Sequence, residues 1–131
     1  MTTTNFGMVG LGRMGANIVR RLHRHDITSA VFDVSPDAVA ALAKEGSIGA
    51  TDMADLAAKL SAPRIVWIMV PASVTDSTIA AMAEHLSPGD TIIDGGNSYY
   101  KNDLKSAELL KAKGINFVDV GTSGGVYGLE R

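Results

Sequence analysis

Two rhythms of apolar and polar residues alternate along the chain. Short, unbroken apolar runs of strand length are followed by longer stretches with apolar residues three and four apart. "FGMVG" (residues 6–10) is the first run, ending in glycine, the form of a buried strand. "RMGANIVRRLHRHD" (13–26) follows, with Met14, Ile18, Val19 and Leu22 at helical spacing and arginines on the other face. "SAVFDV" (29–34) reads as a second strand. Ser35 and Pro36 then supply an N-cap and a first-turn proline for a helix over "PDAVAALAKEG" that closes on Gly46. "ATDMADLAAKLS" (50–61) is a weaker helical segment. "RIVWIMV" (64–70) is the most strand-like stretch, β-branched and apolar on both faces, and Pro71 stops it. A helix over "VTDSTIAAMAEHLSPG" (74–89), a strand over "DTIID" (90–94), an amphipathic helix over "KNDLKSAELLKAKG" (101–114) with Leu104, Leu109 and Leu110 inward, and a strand over "INFVDV" (115–120) complete the pattern.

Strands that alternate with helices require crossover connections and give a mostly parallel sheet. The expected fold class is α/β: a Rossmann-type, doubly wound sheet with helices on both faces. At 131 residues the chain is one domain, with no internal repeat, linker or low-complexity tract. Composition then narrows the chemistry. A formal net charge of -2 gives no electrostatic reason to expect nucleic acid or an anionic membrane as partner. The absence of cysteine removes disulfides, thiolate catalysis and Cys-based zinc sites. No basic leader or membrane-length apolar run is present, so a cytoplasmic location is the default expectation, with no metal site.

"GLGRMG" places Gly10, Gly12 and Gly15 in a G-x-G-x-x-G pattern between an expected strand and an expected helix. The first glycine permits a tight turn, the second a close approach of backbone to pyrophosphate, and the third close packing of the helix. The helix N-terminus adds free N–H groups and about half a positive charge. Arg13 adds charge at the same end. Asp33, 18 residues after Gly15, stands close to the spacing of ~20 expected for the acid that accepts from the adenine-ribose hydroxyls. A 2′-phosphate there would meet like charge: ~1 kcal/mol at ~4 Å in water, ~4 kcal/mol at an effective dielectric of ~20. The next residues are Val34 and Ser35, and neither is an arginine that could rescue the phosphate. NAD is therefore expected over NADP. The plainer alternative is an aspartate that only caps the turn after the strand.

Three further stretches carry a family resemblance. "WIMVPAS" (67–73), "DGGNSYYKND" (94–103) and "GTSGGVYGLER" (121–131), taken with "GLGRMGANIVRRL" (10–22), resemble 6-phosphogluconate dehydrogenase, the decarboxylating enzyme of the pentose phosphate pathway, in its shorter, NAD-preferring branch. The likeness covers essentially the whole chain. It implies that Gly10, Leu11, Gly12, Arg13, Met14 and Gly15 hold the pyrophosphate, with Asp33, Val34 and Ser35 at the adenine ribose. Members that use NADP have an asparagine followed by an arginine where this chain has Asp33 and Val34. The resemblance also implies that Val70, Pro71 and Ala72 lie along the nicotinamide-side ribose. Asn97 touches both cofactor and sugar acid, and Ser123, Gly124 and Gly125 bind 6-phosphogluconate. The residues suit these roles: an amide offers an acceptor and two donors, and a Ser-Gly-Gly loop offers a hydroxyl and backbone N–H groups. Gly95 and Gly96 would remove bulk beside the cofactor. An Asx turn at Asn97 is the bland alternative.

The same resemblance implies a general-base lysine and a general-acid glutamate in a segment beyond residue 131, so no catalytic residue is expected in this chain. A helical domain that completes the pocket and forms most of a homo-oligomer is expected to be absent too. The chain reads as the cofactor-binding domain, residues 1–131, inactive alone, with NAD(H) and 6-phosphogluconate as partners of the full-length enzyme. Another β-hydroxyacid dehydrogenase, or a non-enzymatic NAD-sensing module, remains the alternative; relatives of the first kind typically carry a serine- or threonine-rich stretch in place of "GGNS". His23, His25 and His85 fall near the ends of expected helices and read as solvated. Trp67 reads as core, and Tyr99 and Tyr100 as possible pocket walls.

Overall fold

The computed structural model describes residues 4–70, 72–95 and 108–119. Six parallel strands form one sheet: β1 (Thr4–Val9), β2 (Ala30–Phe32), β3 (Ile48–Gly49), β4 (Leu60–Ile68), β5 (Thr91–Asp94) and β6 (Asn116–Asp119). Their spatial order is β3-β2-β1-β4-β5-β6, so the direction of winding reverses between β1 and β4. Helices α1 (Arg13–Arg24), α2 (Pro36–Lys44), α3 (Met53–Ala58) and α4 (Ala72–Ala83) connect the strands, and residues 108–112 are helical ahead of β6.

The pleat sends alternate residues of each strand to opposite faces, and each face has its own apolar cluster. On one, Met8, Leu11 and Val31 pack with Val19 of α1 and Leu42 of α2. On the other, Val66, Ile68 and Ile92 pack with Leu56 of α3, Ile79 and Met82 of α4, and Leu110. Burying a side chain of this size stabilises the fold by about 1.5–3 kcal/mol. Apolar residues on both faces are what β4 needs: Val66 and Ile68 face one cluster, Trp67 and Met69 the other.

The helix ends follow from local chemistry. Asp52 caps α3 by accepting from the Asp55 N–H at 2.7 Å, and Asp55 reaches back to the Thr51 N–H at 2.9 Å. The chain leaves α2 through Gly46, whose φ of 111° is a left-handed conformation open to glycine. At the end of the sheet where the strands begin, Asp90 is buried and holds β4 and β5 together. Its carboxylate accepts from the Arg64 N–H at 2.8 Å, the Arg64 guanidinium at 3.0 Å and the Ser87 N–H at 2.8 Å. Burial pushes this carboxyl up, but the backbone N–H groups of Arg64 and Ser87 and the guanidinium outweigh it and hold it below the usual carboxylate range.

Several boundaries differ from those the pattern predicts. The expected helix over 50–61 keeps only Met53–Ala58, because β4 already begins at Leu60, paired with Thr4. The two-residue strand β3 has too few residues to show a pattern. Helix α4 starts at Ala72 and ends at Ala83, ahead of Ser87-Pro88, so His85 lies beyond it; His25 is likewise the residue after α1. Leu110 is fully buried as expected, but Leu109 is 38% exposed rather than inward. Leu104 lies outside the described residues.

Candidate cofactor site

The turn from β1 to α1 sits where the winding reverses, at the C-terminal ends of the strands. This is the position at which open α/β sheets bind ligands. Gly10 continues the ladder by donating its N–H to the Phe32 carbonyl at 2.9 Å, then turns with φ 98°. A Cβ at this position would overlap the carbonyl oxygen of Met69. At Gly15 a Cβ would overlap the carbonyl oxygen of Gly10, so the third glycine serves contact between helix and turn more than contact between helix and strand. Gly12 is different. A Cβ there would meet nothing within 4 Å, so the second glycine faces open space. Two of the three glycines are thus required by the protein itself, and one leaves a backbone surface bare to whatever approaches.

That surface is the start of α1. Gly12 is the N-cap residue, it supplies no side-chain cap, and the first turn carries no acid. The first-turn N–H groups of α1 therefore lack the side-chain acceptor that Asp52 gives α3. Together with the helix dipole this favours an anion, and the flank of Gly12 is open where the sequence leads one to expect a pyrophosphate.

Asp33 follows β2 and is half-buried. One carboxylate oxygen, Oδ2, accepts from the Leu11 N–H, and the other, Oδ1, accepts from the Ser35 N–H at 2.8 Å. The aspartate therefore caps its own turn, as the plainer reading held, and also ties β2 to the glycine loop. Each oxygen keeps a further acceptor site, so the carboxylate can still receive ribose hydroxyls. Leu11 points into the core at 7% exposure, with its N–H committed to Asp33, so it anchors the loop. Val34 is 92% exposed and Ser35 is exposed; both flank the carboxylate on its solvent side. Met14 is half-buried in the first turn of α1.

Across the reversal point, the Met69 N–H donates to the Val9 carbonyl at 2.8 Å and the Gly95 N–H to the Ile68 carbonyl at 3.0 Å. Val70 is half-buried, and the Thr75 hydroxyl donates to its carbonyl at 3.4 Å, bridging β4 to the first turn of α4, which Ala72 opens. Gly95 is buried, and packing within the protein alone requires a glycine there: a Cβ would overlap the indole nitrogen of Trp67 and stand 2.6 Å from the Met69 sulfur. No local sequence signal marks this packing: Gly95 shares a face with Trp67 and Met69 through the register that pairs Trp67 with Ile93 across β4 and β5. Pro71, Asn97, Ser123, Gly124 and Gly125, with Tyr99 and Tyr100, lie outside the described residues, as does the Arg13 side chain. Among the described residues, no helix is long and apolar enough to cross a membrane.

A bare helix N-terminus at the winding reversal, with a carboxylate just past the end of the next strand, places the fold among the dinucleotide-binding domains of dehydrogenases. Residues 5–131 match the family model described as the NAD binding domain of 6-phosphogluconate dehydrogenase, and the chain belongs to that family. It is 39% identical over 125 residues to the NAD(+)-dependent, decarboxylating 6-phosphogluconate dehydrogenase of Haloferax volcanii, covering 95% of this chain and 41% of that protein. It is 39% identical over 130 residues to the decarboxylating enzyme of Haemophilus influenzae, covering 95% and 27%. Among solved structures, Plasmodium falciparum 6-phosphogluconate dehydrogenase, described in apo form, with its cofactor NADP+ and with its substrate 6-phosphogluconate, superposes with a TM-score of 0.84 at 27% identity. That match covers 95% of this chain and 28% of the other. The chain spans less than half the length of these relatives.

Proposed function

We propose that this domain binds NAD+ in preference to NADP+ and serves, within a longer polypeptide, the oxidative decarboxylation of 6-phosphogluconate to ribulose 5-phosphate. The observation that carries the reading is the link between Asp33 and the glycine loop: the group that would receive the ribose hydroxyls is fixed to the turn that would receive the pyrophosphate. The adenine half of the cofactor would lie over β1 and β2, with its ribose on Asp33, and the nicotinamide half over β4 and β5, along Val70, Pro71 and Ala72. Asn97 would bridge cofactor and sugar acid, and Ser123, Gly124 and Gly125 would hold the substrate. When bound, the nicotinamide would supply the acceptor for the hydride from the substrate's C3; the hydroxyl proton would go to a base, and the resulting 3-keto acid would lose CO2 to an enediol that is then protonated. This domain's share is to fix the hydride acceptor and one side of the sugar acid. By the family resemblance, the proton-transfer groups would lie in the part of the relatives that this chain does not span, and the 131-residue chain would bind cofactor without turnover.

Calorimetric titration with NAD+ and NADP+ tests the reading. NAD+ should bind, with NADP+ about tenfold weaker or more, within the range of about fivefold to 1000-fold that ~1–4 kcal/mol of charge repulsion implies. Equal affinities, or tighter binding of NADP+, would overturn the cofactor preference.

A further inference from the structure

The single tryptophan of the chain stands at the ligand end of the sheet with its polar atom unused. Trp67 Nε1 is buried and has no hydrogen-bond partner among the described residues. Leaving a buried donor unpaired is costly, and a phenylalanine or leucine would fill a strand position without that cost. The shape of the indole is what the position uses. Its ring meets Phe6 of β1 edge-on, with centroids 6.5 Å apart and planes at 66°. Its five-membered edge lies against Gly95, where a Cβ would overlap Nε1 and stand 2.8 Å from Cε2. Gly95 is the first residue past β5, and its N–H is still tied to β4 through Ile68. The indole is therefore wedged between the central strand and the point at which the chain leaves β5.

We infer that Trp67 is a positioning residue for the nicotinamide half of the cofactor site. It sets where the backbone stands at Gly95, beside the end of β4, whereas the glycine loop and Asp33 are fixed by their own hydrogen bond. The inference rests on the proposed dinucleotide function. It separates two regions of one site: the adenine half is fixed by Asp33 and Leu11, the nicotinamide half by the Trp67–Gly95 contact.

Binding of NAD+ and of ADP, which carries the adenine half and both phosphates but neither the nicotinamide nor its ribose, distinguishes the regions. Trp67→Leu should weaken NAD+ by at least about fivefold, as misplacement of one set of ligand contacts does, and leave ADP within about twofold. Trp67→Phe, which keeps a ring against Gly95, should restore most of the NAD+ affinity. In the unaltered chain, NAD+ should change the emission of Trp67 and ADP should not, a readout that holds even where a variant fails to fold. Equal loss of both ligands in Trp67→Leu, no loss of either, or the same emission change with both ligands would overturn the inference while sparing the dinucleotide reading. An unaltered chain that binds neither ligand would remove that reading, and this inference with it.

Discussion

Replacing Asp33 by asparagine tests fold and function in one variant. The carboxylate accepts from two backbone N–H groups, Leu11 through Oδ2 and Ser35 through Oδ1. An asparagine has one acceptor oxygen and one NH2, so it can serve only one of them and turns a donor toward the other. Ser35 is exposed and water can take its N–H; Leu11 is buried and water cannot. The amide should therefore settle with its oxygen on Leu11. A hydrogen bond to a charged group contributes about 1.5–3 kcal/mol, and solvent access at Ser35 returns part of this, leaving a net loss of about 1–2 kcal/mol. For a domain of this size that corresponds to a fall in Tm of roughly 3–8 °C. Cofactor binding should move in opposite directions. NAD+ loses a charge-assisted contact to its ribose, and NADP+ is relieved of ~1–4 kcal/mol of repulsion. The ratio of the two affinities should shift toward NADP+ by about two orders of magnitude. Calorimetry with both cofactors, alongside a thermal melt, measures both effects. An unchanged affinity ratio would refute the role of Asp33 in discrimination, and an unchanged Tm would refute its role in holding the glycine loop.

The other predictions concern the glycine turn and the far end of the sheet. Gly12→Ala should leave Tm within about 1 °C, since its Cβ would meet nothing within 4 Å, yet weaken NAD+ markedly by occupying the bare flank of α1; a large loss of stability would contradict the open geometry. Gly15→Ala should do the reverse and destabilise by about 1–3 kcal/mol through overlap with the Gly10 carbonyl, as urea unfolding would show. Val34→Arg, at a position 92% exposed, should raise NADP+ affinity further when combined with Asp33→Asn, with little change in Tm. Asp90 governs the acid limb of stability. Its folded carboxyl lies below the unfolded value of ~3.9, so its stabilisation is fully present above that pH and drains away as pH falls through the folded value. Asp90→Asn should cost about 2–3 kcal/mol at neutral pH and flatten the stability-pH curve below about pH 4; a parallel curve would show that the group does not carry that slope.

The alternation of strand and helix was legible because each long element has enough residues to show its period. The run from Arg64 to Met69 and the spacing of Met14, Ile18, Val19 and Leu22 are examples. Strand β3 was not, because Ile48 and Gly49 are strand only through their bonds to β2. The start of β4 was hidden for a related reason. Ser61, Ala62 and Pro63 read as a break, and only the partner strand at Thr4 draws Leu60 into the sheet. At the site, the fingerprint and Asp33 could be placed from spacing, since their roles depend on backbone geometry that a few residue types dictate. The bond from Leu11 to Asp33 and the seating of Trp67 on Gly95 could not. Both join segments far apart in sequence, and nothing local distinguishes a glycine that makes room for a ligand from one that makes room for an indole.

The clamp at Asp90 has a consequence for how such a domain can change over time. It joins β4 to β5 where the strands begin, while the glycine turn, Asp33 and the Trp67–Gly95 contact all lie where the strands end. The two strands are thus aligned by chemistry remote from the proposed cofactor site. Substitutions that retune the ligand end need not disturb the alignment, and a stabilising substitution near Ser87 or Arg64 need not alter cofactor choice. A lineage, or a protein engineer, could first strengthen the remote end and then spend the surplus on riskier exchanges around Asp33.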